Sequence, residues 1–180
     1  EILTVPESYN TIQLAINASS DLDTILVSPG VYQENINYNG RNVVITSLYV
    51  IAQDSSLIYE TIIDGGENGS VVIFNNDETD DAILQGFTIQ NGDGYYADPD
   101  GNGTFYTYGG GIYCQDSEPT LKDLIITNNS GDEGGGGGIF LYEASPTIIG
   151  CLITYNSTDD VGGGLYARYS NVSIENTKFI

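Results

Sequence analysis

Short apolar, β-branched runs broken by Gly, Asn and Asp alternate along the whole chain. In the C-terminal half the pattern is a repeat. GGGIY at 109–113 returns as GGGIF at 136–140 and GGGLY at 162–166, so Ile112, Ile139 and Leu165 recur at spacings of 27 and 26. A second block follows each run at one offset: TLKDLIITNN from Thr120, TIIGCLITYN from Thr147 and SIENTKFI from Ser173. A period of this length marks a solenoid, in which no unit can bury its apolar face alone. Each unit reads as strand, turn, strand, turn, and none has room for a helix of ~10–12 residues. The pattern therefore predicts an all-β fold.

The repeat extends upstream. LQGFTIQN from Leu84 aligns with LKDLIITN from Leu121 at an offset of 37, and the excess falls in the stretch 93–108. NVVITSL (42–48) and TIIDGGENGSVVIFNN (61–76) are strand-like, and DTILVSPGVYQENI (23–36) has a strand followed by a Pro-Gly turn. Residues 8–20 hold the one predicted helix, with Ser8 as N-cap and Ile12, Leu14, Ala15 and Ile16 as its apolar positions. Residues 1–22 thus form a strand and capping helix, and 23–180 the coils with one inserted loop at 93–108.

VPESYNTIQLAINASSDLDTILVSPGVYQENI resembles the opening turns of pectin-lyase-like right-handed parallel β-helix proteins. TIIDGG and the GGGIY…SPT…ITYN units resemble β-helix repeats of large bacterial secreted and surface proteins. The resemblance covers essentially the whole chain. It implies a right-handed parallel β-helix with a short N-terminal capping helix. It leaves the activity open, since such a fold carries lyases, hydrolases, epimerases, adhesins and passive modules.

Side chains alternate along a strand. Ile112, Cys114, Ile139, Leu141, Leu165 and Ala167 form the inward register, which places Tyr113, Phe140 and Tyr166 outside, stacked ~4.8 Å apart. Gln115, Tyr142 and Arg168 form the next outward row. The glycine runs beside them leave a bare stripe. Two readings follow: a groove floor and aromatic wall for a sugar chain, with Tyr113, Phe140, Tyr142 and Tyr166 as ligand-binding residues, or aromatics that stabilise the sheet beside glycines that serve turns. Tyr95, Tyr96, Phe105, Tyr106 and Tyr108 of the insertion have the same two roles open to them. Asn129 and Asn156, 27 apart, should share one turn and bond along the stack, and Cys114 and Cys151 read as free, buried thiols.

Charge changes the picture of partners. Lys+Arg is 4 against Asp+Glu 25, a net charge of −21, with no His. Such a surface is a poor partner for nucleic acid or anionic membranes, and no stretch is long and apolar enough to span a bilayer. It repels polyanionic polysaccharide unless cations bridge the two. Asp98-Pro99-Asp100-Gly101-Asn102-Gly103 matches the first half of a calcium loop, but Gly109 stands where the bidentate Glu is expected. The insertion occupies the turn that holds Asp132-Glu133 and Asp159-Asp160 in the next units. Stacked like charges need screening or a bridging cation. Asp98, Asp100, Asn102, Asp132 and Asp159 are therefore the candidate calcium ligands, the alternative being a solvated acidic rim.

Catalysis is weakly signalled. The resemblance implies lyases that neutralise a uronate with a cation and use Arg or Lys as base; Arg168 is the best such candidate. Clustered carboxylates would serve a hydrolase, and the absence of His removes the triads that need it. The sequence reading is a non-catalytic secreted or cell-surface β-helix module, structural, adhesive or self-assembling, with a lyase or hydrolase of acidic polysaccharide and a carbohydrate-binding β-helix as alternatives. The chain contains no Met, as expected of a processed or partial chain, and it stops at Ile180 inside a strand block. End-to-end stacking of copies would complete that ladder.

Overall fold

The computed structural model describes residues 1–180. Three parallel sheets wrap around one core, and each full coil contributes one strand to each sheet. One full coil runs through Ile112–Gln115 in the third sheet, Thr120–Lys122 in the first and Ile125–Thr127 in the second. The next runs through Ile139–Tyr142, Thr147–Ile149 and Leu152–Thr154. The aligned repeat positions are the registered partners: Ile112 with Ile139, Ile139 with Leu165, Thr120 with Thr147 and Leu84 with Leu121. The fold is a right-handed parallel β-helix.

The corners explain the punctuation in the sequence. Between the first and second sheets Gly86, Asp123, Gly150 and Asn176 all take positive φ, which Gly, Asn and Asp adopt at least cost. At the glycine runs the reason is space. A Cβ on Gly110 would strike the carbonyl oxygens of Ser130 and Gly137, and one on Gly111 would meet the Gly138 carbonyl at 2.6 Å. These glycines are buried between coils. The stripe is therefore where backbones press together, and it is not a groove floor.

The inward register forms a core of 30 buried residues, including Ile112, Cys114, Ile139 and Leu141. In the last coil Leu165 is only half-buried and Ala167 is exposed. At the other end the helix Ile12–Ala18 buries Ile12, Ala15 and Ile16 over the first coils. Its N-cap is Thr11, whose hydroxyl accepts from Leu14 N at 3.1 Å, and not Ser8 as the sequence suggested. Ser8 and Tyr9 are held in a turn by the Thr4 carbonyl. Leu14 faces solvent at 50% exposure, so the apolar face is narrower than expected. Two further short helices, Tyr49–Ala52 and Ser56–Glu60, form a second insertion between strands of the first and second sheets. They correct the reading of residues 8–20 as the one helical segment.

Candidate functional site

The inserted stretch forms an antiparallel hairpin, Tyr95–Ala97 with Tyr106–Tyr108. It lies over the outer face of the third sheet. The outward aromatic row does point away from the core, but the hairpin covers it. Tyr113 and Phe140 are 0% and 1% exposed and, with Ile73, Ala97 and Tyr142, form a second small core. Tyr95 packs on Tyr113 at 4.9 Å between ring centroids, and Tyr108 on Phe140 at 4.4 Å. Burial pushes the Tyr113 phenol well above its usual range, and its hydroxyl donates to Gln115 Oε1 at 2.6 Å. Tyr113 therefore has no face for a ligand, Phe140 keeps only an edge, and Tyr142 is nearly covered. The expectation of an open aromatic row is corrected by the hairpin, whose own aromatics occupy the position a sugar chain was expected to fill.

What remains open is a cleft of about 180 Å³ at the hairpin's C-terminal edge. Tyr106, Tyr108 and Tyr166 are the half-buried aromatics along it, with the Phe140 edge between them. Glu133, Asp160 and Arg168 supply its polar groups. The volume is below the ~300–1,000 Å³ of pockets for larger ligands, which suits one ring of a longer chain. Aromatic faces beside a few convergent polar groups suit the apolar faces and hydroxyls of a sugar.

Arg168 is held in place. Its guanidinium donates to Asp100 Oδ2 at 3.0 Å and lies 5.7 Å from the Tyr142 ring centroid and 5.1 Å from that of Tyr169. The neighbouring Tyr169 and the Asp100 carboxylate raise its pKa further. A base must give up its proton, so this setting opposes the role of lyase base that the resemblance implied for Arg168. Desolvation would raise the Asp100 carboxyl, but the hydrogen bond and positive charge of Arg168 outweigh it and hold the group below the usual carboxylate range.

The five candidate calcium ligands do not gather at one point. Asp98 accepts from the backbone N–H groups of Asn102 and Gly103 at 3.1 and 2.7 Å, and Asp100 is engaged by Arg168. The Asn102 side chain accepts from Thr104 N, and Asp132 and Asp159 are exposed on separate turns. No three acidic side chains gather in a group that could hold a metal. The half-motif is instead a turn closed by its own Asp and Asn side chains.

The sequence signalled the cleft's acidic groups and the insertion's tyrosines as separate features. It gave no sign that Asp100 meets Arg168, 68 positions away, nor of Tyr169 beneath the guanidinium.

Residues 69–180 match the family described as the right-handed beta helix region. Curated proteins give no match. Among solved structures the chain is similar to pectin methylesterase PemA from Erwinia chrysanthemi, with 14% identity and a TM-score of 0.52, over 98% of this chain and 64% of that one. It is also similar to a pectin methylesterase in complex with hexasaccharide VII, with 16% identity and a TM-score of 0.50, over 94% of this chain and 63% of that one. The chain thus spans less than two thirds of those enzymes, and identities this low speak for the fold. The match over residues 69–180 and the three-sheet coil together make this chain a member of the right-handed β-helix family.

Proposed function

We propose that the chain is a carbohydrate-binding β-helix module whose site is the cleft between the hairpin and the third sheet. The observation that supports it is the meeting of Tyr106, Tyr108 and Tyr166 with Glu133, Asp160 and Arg168 in one cleft on an otherwise filled flank. One sugar ring would rest against the tyrosines, and its hydroxyls would bond to the charged groups. Hexasaccharide binding by a solved structure of the same fold agrees with this reading. An extracellular or cell-surface setting belongs to the same proposal. Tyr106→Ala and Tyr166→Ala should each weaken binding of a matched oligosaccharide at least about tenfold in calorimetry. Unchanged affinity in both variants would refute the site.

A second reading is favoured by one observation: Glu133 and Asp160 line the same cleft. Paired carboxylates flanking a glycosidic bond are the machinery of glycoside hydrolysis. A reducing-sugar assay on neutral and acidic polysaccharides tests this, with Glu133→Gln and Asp160→Asn as controls. Self-association by end-to-end stacking is a separate proposal, since a parallel coil offers another copy the same strand ladder that joins its own coils. Sedimentation over a range of concentrations would show whether copies stack.

A further inference from the structure

The cleft holds one guanidinium, and that guanidinium already has a carboxylate. Arg168 Nη1 donates to Asp100 Oδ2 at 3.0 Å, and the ring faces of Tyr142 and Tyr169 fix the guanidinium where it lies. Glu133 and Asp160 stand on the same cleft with no basic side chain paired to them. Two carboxylates therefore line the cleft and a third, Asp100, engages its single positive group, on a chain of net charge −21. Lys122 and Lys178 lie on strands of the first and second sheets, away from this flank, and Arg41 lies far upstream between strands.

We infer that Asp100 is a specificity-determining residue that reserves the cleft for neutral sugars and turns uronates away. The inference rests on the reading of the cleft as a sugar site. A guanidinium recognises a carboxylate through its planar fork of donors. A uronate entering here would have to displace Asp100, exchanging one carboxylate for another at the same donors. The displaced Asp100 would then stand unpaired next to the incoming anion, at a cleft already lined by Glu133 and Asp160. Discrimination comes from the repulsive element as much as from the attractive one. A neutral hexose meets no such penalty, because its hydroxyls can donate to the carboxylates that a uronate cannot approach.

The test compares hexasaccharides of glucose, galactose, mannose and xylose with those of galacturonate, glucuronate and mannuronate. Affinities are measured by calorimetry for the 180-residue chain, for Asp100→Asn and for Asp100→Asn combined with Arg168→Gln. Thermal melts confirm that each variant is folded. The original chain should bind a neutral oligosaccharide at least about tenfold more tightly than any uronate. Asp100→Asn should shift the uronate-to-neutral ratio by at least about tenfold towards uronates, and Arg168→Gln should cancel that shift. A merely structural role for the ion pair would weaken both classes equally and leave the ratio unmoved. Preference for a uronate by the original chain, or an unmoved ratio in Asp100→Asn, overturns the inference while leaving a sugar site intact. Failure of all three proteins to bind any sugar overturns the sugar site itself.

Discussion

Asn129 shows how a single side chain ties coils together. Its amide donates to the Ile89 carbonyl at 3.1 Å and to Asn156 Oδ1 at 3.0 Å, while its oxygen accepts from Gly92 N at 3.0 Å. Asn156 continues upward by donating to the Ile126 carbonyl at 2.8 Å. The 27-residue spacing of the two asparagines made this ladder legible in the sequence. Asn129→Ala should destabilise the fold by about 2–3 kcal/mol, because it leaves buried partners unpaired; denaturant unfolding would measure it. Asp64 was not legible, since its side-chain partners come from the next coil. Its carboxylate accepts from Gln90 and Asn91 at 2.8 Å and from Gly66 N at 2.9 Å. Burial alone would raise its pKa, but these bonds hold it below the usual carboxylate range. The stability it adds is present above the unfolded value of ~3.9 and is lost as pH falls through the lower folded value. The Tm deficit of Asp64→Ala should accordingly be full at pH 6 and shrink in strong acid. Burial pushes the Cys151 thiol up to about 12 and Cys114 well above its ordinary value. Both should resist a thiol reagent at pH 8 until the protein is unfolded.

At the scale of the element, the hairpin decides what the flank can do. Alternation along the strands gave the direction of Tyr113 and Phe140 correctly, because it follows from the pleat alone. Their burial depends on where an insertion folds back, and nothing in a local pattern encodes that. The same limit hid the Asp100–Arg168 pair. Replacing 95–108 by a short turn should uncover two large aromatics, costing about 3–6 kcal/mol. It should also create binding of a hydrophobic dye, while far-ultraviolet dichroism keeps its β signal because the main core is separate. The tip behaves differently: Tyr96 and Phe105 stack at 5.4 Å but stay exposed, so their replacement should be nearly neutral. The calcium-like loop is closed by Asp98 on its own backbone. A melt in millimolar calcium should match one in EDTA with magnesium as control, and a calcium-specific rise in Tm would contradict this account of the loop.

For the whole molecule, the repeat carried nearly all of the architecture. Register, coil length and the inward apolar rows followed from the 26- and 27-residue spacings, since each coil must stack on the last. The charge of −21 was equally plain, and it sets the molecule's response to salt. Screening relieves self-repulsion, so Tm should rise with sodium chloride up to ordinary ionic strengths. What the repeat could not show was how the hairpin interrupts it and leaves a cleft at its edge, and the functional reading rests there. Mapping chemical shifts of the isotope-labelled chain during titration with the best-bound oligosaccharide tests that reading most directly. The account predicts perturbations centred on Tyr106, Tyr108, Gly134, Tyr166 and Arg168. Perturbations confined to another face would contradict it, as would a spectrum unchanged by every sugar tried.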